Sequence, residues 1–79
     1  MDEKRIFAAI KRNVLEVVPE IDPDAITMDC SLSDLGCNSL DRADVVTMTM
    51  EELSIAVPVH EFHKGESIGQ LVAVMRRHA

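Results

Sequence analysis

Apolar residues near both ends of the chain recur at intervals of three and four: Phe7, Ile10, Val14 and Val17 at the start, Ile68, Leu71, Val72 and Met75 at the end. That spacing puts each set on one stripe of an α-helix. Two such stripes need a shared core, and the only aromatics are Phe7 and Phe62, so the core must come from Leu, Ile, Val, Met and Ala. An aliphatic core of this kind suits packed helices better than a β-sandwich. With 79 residues, the chain has room for a single domain spanning 1–79, near the lower limit for one core without staples. An enclosed active site is not expected at this size, so the chain is not expected to be an enzyme.

Local signals set the boundaries. Asp2 can cap the first helix and Pro19 ends it. From Pro19 to Gly36, turn residues in Asp22-Pro23-Asp24 and Ser31 to Asp34 alternate with Ile21, Ile26, Met28, Leu32 and Leu35, which predicts a long loop pinned to the core. Its Asp-x-Asp start is not read as a calcium loop, because Ile26 and Ser33 stand where a third ligand and a bidentate Glu belong. A second helix is expected from Asn38 or Ser39 to about Leu53, before Ser54 and Pro58. On it, Val45, Val46, Thr49, Met50 and Leu53 share the side assigned to the core, and Leu40, Asp44, Thr47 and Glu51 share the opposite side. His60 to Lys64 is expected to form at most a short helix, closed by Gly65. Ser67 and Gln70 form a capping box for the last helix, whose end carries Arg76, Arg77 and His78. The expected fold is therefore all-α: a small irregular four-helix bundle, three main helices plus one short one, with a long first loop.

The net charge of −6 repels nucleic acid and anionic lipid and favours partners that present Lys and Arg. No stretch after Met1-Asp2-Glu3-Lys4-Arg5 is long and apolar enough for a signal peptide or membrane span, so a cytoplasmic location and no membrane association are expected; a monomeric state is expected as well. Cys30 and Cys37 match neither a redox pair nor a zinc-ligand spacing and are read as free thiols. Cys37 has no His or Lys beside it in sequence, which favours a small buried filler over a nucleophile. His60-Glu61-x-His63 offers two imidazoles without further ligands, and a solvated face is the better reading; no metal is expected.

Ser39 follows Gly36-Cys37-Asn38 at the start of the second helix, where unpaired amides and the helix dipole favour a phosphate. For an isolated Ser at such a place, a plain helix cap is the commoner role. Position alone does not separate the two.

The segment Leu35-Gly36-Cys37-Asn38-Ser39-Leu40-Asp41 resembles the Leu-Gly-x-Asp-Ser-Leu segment of acyl and peptidyl carrier proteins. The similarity continues through the long loop, the acidic second helix, Ile55-Ala56-Val57-Pro58 and Ser67-Ile68-Gly69. The resemblance implies that Ser39 receives 4'-phosphopantetheine, whose thiol carries an acyl group as a thioester. It also implies that partners read Leu40, Asp44, Thr47 and Glu51, with Asn38, Asp41 and Arg42 beside the attachment point.

Asn38 stands where Asp is usual in that family, and Arg42 adds a positive charge one turn on. Asn-Ser-Leu-Asp-Arg is similar to the donor carriers of polyketide beta-branching cassettes. By this resemblance the cargo is acetyl, made by decarboxylating a malonyl unit. The implied partners are a phosphopantetheinyl transferase, an acyltransferase, a decarboxylating ketosynthase-like enzyme and an HMG-CoA-synthase-like enzyme. A chain that starts at Met1 and ends soon after its last helix is expected to be a free-standing carrier. Alternatives are a general fatty-acid or peptidyl carrier and, outside the class, an unmodified helical interaction module. Thr47 and Met50 depart from the residues usual at their positions, larger apolar and acidic respectively, so docking contacts do not transfer simply.

Overall fold

The computed structural model describes residues 2–63 and 65–79. Among the described residues the main elements are three α-helices, α1 (Glu3–Val17), α2 (Ser39–Leu53) and α3 (Ile68–Arg77), with single 3-10 turns at Pro23–Ala25 and Val59–Glu61. The short helix expected at His60 to Lys64 is this one turn, starting at Val59 immediately after Pro58; Lys64 lies outside the described residues. Among the described residues no helix is long and apolar enough to cross a membrane.

The helix ends follow from local chemistry. Asp2 accepts the amide of Arg5 at 2.9 Å, capping α1. The helix stops at Val17, because a residue before proline is pushed out of the α region and Val18 precedes Pro19. α2 ends on Ser54 in the left-handed region, with a φ of 56°. At the start of α3, Ser67 and Gln70 form the expected capping box, at 3.2 and 2.8 Å.

α1 packs against both α2 and α3. Its most buried residues are Ile6, Ala9, Ile10, Asn13 and Val14, so the buried stripe is rotated from the expected one. Phe7 and Val17 lie at its margins, half-buried. On α2, Val45, Thr49 and Leu53 are buried as expected. Val46 and Met50 are a correction: they are only partly buried and border a groove beneath the Val59–Glu61 turn. A helix facing a single partner cannot bury five residues spread over so wide an arc.

The long loop is held to the start of α3. The amide of Ile68 donates to the Cys30 carbonyl at 2.8 Å and that of Gly69 to the Met28 carbonyl at 2.9 Å, so two amides that a helix start leaves unpaired find loop acceptors. Ile26 and Leu32 sink into the core from the same loop. At the other end of α3, Arg76 pairs with Glu3 at 2.9 Å and His78 Nε2 lies 2.8 Å from Glu61. The hydrogen bond from His78, with the neighbouring positive charge, holds the Glu61 carboxyl below its ordinary pKa.

Candidate functional site

A tight turn delivers the chain to α2. The amide of Gly36 donates to the Ser33 carbonyl at 3.0 Å and that of Cys37 to the Leu32 carbonyl at 3.1 Å. Gly36 takes a φ of 93°, a backbone region that side-chain-bearing residues rarely occupy. Cys37 is then buried beneath the helix start. Burial, and next the charge of Asp41, raise its thiol pKa, with Arg42 opposing. It packs into the core cluster, as a small buried filler does.

Asn38 and Asp41 cap α2 reciprocally: the Asn38 side chain accepts the Asp41 amide at 2.8 Å, and the Asp41 carboxylate accepts the Asn38 amide at 3.1 Å. Capping therefore falls to Asn38. Ser39, the first helical residue, has its hydroxyl free of that duty and lies exposed. Its oxygen accepts from Arg42 Nη2 at 3.2 Å, while Arg42 Nη1 donates to the Ser33 hydroxyl at 2.8 Å. As the first residues of the helix, Ser39 and Leu40 have amides with no intrahelical acceptor.

Leu40, Asp44, Thr47 and Glu51 all lie exposed along α2, leading away from Ser39. Leu40 is 76% exposed, and Val59, across the groove mouth, is 82% exposed. The groove has a volume of about 490 Å³, with Ser39 and Arg42 at one end and Val46, Met50 and Phe62 along it. His63, also exposed, lines the groove, and His60 is exposed outside it. The structure thus gathers Asn38, Ser39, Asp41 and Arg42 at one helix start and sets the other four residues on one face. Ser33 is the site residue that sequence reading missed: it was legible only as turn chemistry, and its contact with Arg42 depends on the turn through Gly36.

Residues 9–75 match the family model described as the phosphopantetheine attachment site. The chain is 39% identical over 75 residues to the polyketide biosynthesis acyl-carrier-protein AcpK of Bacillus subtilis (strain 168), covering 95% of this chain and 92% of that one. The chain belongs to the acyl carrier proteins. Its fold also matches a chain in the crystal structure of the curacin biosynthetic pathway HMG synthase in complex with acetyl donor-ACP, with a TM-score of 0.82 and 31% identity over 94% of this carrier and 95% of that chain.

The family's group is 4'-phosphopantetheine, and the carrier's site fits its phosphodiester. An exposed hydroxyl, two amides without intrahelical acceptors and a guanidinium meet at the positive end of α2, a set of donors that suits an anion. Membership of this family also makes the protein a carrier and not a catalyst.

Proposed function

We propose that this carrier holds an acyl group on 4'-phosphopantetheine attached through Ser39 Oγ, and that it is the acetyl donor to an HMG-CoA-synthase-like enzyme in polyketide beta-branching. The observation that carries the attachment is the division of labour at the start of α2: Asn38 caps the helix, so the Ser39 hydroxyl is exposed and free to be esterified. The donor subtype is supported by the likeness to the acetyl donor-ACP fold and by Asn38 and Arg42 at the root of the arm.

When bound, the group supplies a thiol that carries the acyl unit as a thioester; the chain itself supplies an address. The single domain, 1–79, presents Leu40, Asp44, Thr47 and Glu51 to partners, with Asn38, Asp41 and Arg42 read at close range. Exposed carboxylates on this face favour fast, salt-sensitive encounter with basic surfaces. A short tether makes modest affinity sufficient, because the cargo is held at high effective concentration once docked. The transferase, an acyltransferase, a decarboxylating ketosynthase-like enzyme and the synthase-like acceptor then use one monomeric carrier in turn, in the cytosol.

Intact-mass measurement after incubation with a broad phosphopantetheinyl transferase is expected to show one addition on the wild type and none on Ser39→Ala. A modified Ser39→Ala protein overturns the attachment site. Acetyl transfer to an HMG-CoA-synthase-like enzyme, measured beside a general fatty-acid carrier, is expected to favour this protein. Equal or better transfer from the general carrier overturns the donor reading.

A further inference from the structure

Arg42 sits where a cation is least expected. It lies at the start of α2, close to the positive end of the helix dipole, which disfavours further positive charge. No carboxylate lies within ion-pairing distance of it among the described residues. Its guanidinium instead forks over two hydroxyls, that of Ser39 at 3.2 Å and that of Ser33 at 2.8 Å. Neutral hydroxyls are weak partners for a guanidinium, whose planar donors match the paired oxygens of a phosphate.

We propose that Arg42, held by Ser33, is a positioning residue that clamps the phosphodiester on Ser39 and fixes the direction in which the arm leaves the helix. The proposal rests on attachment at Ser39. Nη2 is within hydrogen-bond distance of the atom that bears the phosphorus, so the unesterified phosphate oxygens next to that atom come within reach of the same nitrogen. Ser33 holds the other side of the fork from the preceding turn, so the guanidinium is aimed before the phosphate arrives. A guanidinium uses five donors, and two are engaged here, which leaves capacity for the anion. Asp41 has its carboxylate committed to the Asn38 amide at the same helix start; its negative charge repels a phosphate, and Arg42 offsets that repulsion. The neutral side chain of Asn38 adds no further negative charge. The clamp biases the root of the arm toward the Ser33 side of α2, next to the groove that Ser33, Ser39 and Arg42 line.

Phosphorus NMR of the loaded protein tests this. The wild-type phosphodiester resonance is expected to differ from that of free phosphopantetheine, to move toward the free position in Arg42→Ala, and to lie between the two in Arg42→Lys, which keeps the charge and loses the fork. Ser33→Ala, which removes the support while keeping the guanidinium, is expected to shift the resonance in the same direction by less. The rise in melting temperature on loading is expected to shrink in the same order. If the transferase does not accept the Arg42 variants, Ser33→Ala alone decides. Loaded, folded variants with the wild-type resonance and the wild-type change in melting temperature overturn the clamp. Absence of any mass addition at Ser39 in the wild type overturns instead the attachment on which it rests.

Discussion

Asn13 of α1 donates its side-chain amide to the Thr49 hydroxyl of α2 at 2.9 Å, and that hydroxyl donates in turn to the Val45 carbonyl at 2.7 Å, all inside the core. Both residues are buried, and no buried side-chain polar atom among the described residues lacks a partner. The pair fixes the register of α1 against the helix that carries Ser39. Thr49→Val keeps the shape but strands the Asn13 amide, and is expected to cost about 1–3 kcal/mol, the penalty of a buried unsatisfied donor. Asn13→Leu with Thr49→Val removes both polar groups and is expected to recover part of that loss. Urea unfolding of the two single variants and the double variant gives the coupling. Additive losses would show that the two side chains do not act as a unit.

Gly69 illustrates a second constraint, from close approach. A Cβ there would lie 3.1 Å from the Met28 carbonyl oxygen, which also accepts the Gly69 amide. Alanine gains up to about 1 kcal/mol in helix propensity over glycine in a helix interior, but less at a first turn. The obstructing atom is backbone, and the loop that carries it is tied down again through Cys30, so it cannot swing aside cheaply. Gly69→Ala is expected to destabilise by about 1 kcal/mol, within the usual range for single substitutions, and to speed hydrogen exchange at Ile68. Stability equal to or above wild type would mean that the loop gives way freely.

The starts of the first and last helices were legible because caps are local, Asp2 with Arg5 and Ser67 with Gln70 each three residues apart; at the second helix Asn38 and Ser39 were both open, and the reciprocal bonds with Asp41 decide for Asn38. The all-α class and the exposed Leu40, Asp44, Thr47 and Glu51 followed from periodicity. What could not be read depends on partners distant in sequence. Asn13 belongs to the stripe that is buried, with Ile6 and Ile10, and not to the one expected from Phe7, Ile10, Val14 and Val17; its burial depends on Thr49, an acceptor 36 positions away. The second helix was assigned too wide a core face, because spacing says which residues share a side and not how much of that side a neighbour covers. Ser33 entered the site through a turn whose geometry depends on the left-handed Gly36.

The two cysteines are expected to behave differently, and this bears on cargo. The thiolate is the reactive form, and burial and Asp41 push the Cys37 thiol up. Cys30 is only partly buried. Alkylation of the folded, unloaded protein at neutral pH is expected to modify Cys30 first and Cys37 about tenfold more slowly or worse, since both access and thiolate fraction are reduced. Because the Cys37 pKa is raised, its rate should keep climbing with pH after an ordinary thiol has levelled off. Peptide mass mapping over time checks this, with urea-unfolded protein as the control in which the difference closes. Equal rates in the folded state would mean that Cys37 is open to solvent and able to compete with the pantetheine thiol for acyl groups.

Docking gives the last expectation. Asp44 and Glu51 are exposed on the α2 stripe that leads from Ser39, and neither is in an ion pair among the described residues. They carry charge that the fold does not use, whereas Glu52, one residue from Glu51, is taken up by Arg12. If basic partner residues meet Asp44 and Glu51, reversing both to Lys is expected to weaken binding to an HMG-CoA-synthase-like enzyme by about 1–3 kcal/mol, chiefly through slower association and a flatter salt dependence. The fold should hold, because exposed substitutions usually change stability by about 0.5 kcal/mol or less. Leu40→Ala should act on the other rate: it removes apolar contact beside the arm, so dissociation quickens while the salt dependence stays. Binding kinetics at two salt concentrations, with circular dichroism as the control for folding, separate the two effects. Unchanged association for the double reversal in a folded protein would show that partners approach over another surface, and the exposed Val59 across the groove from α2 would be the place to look next.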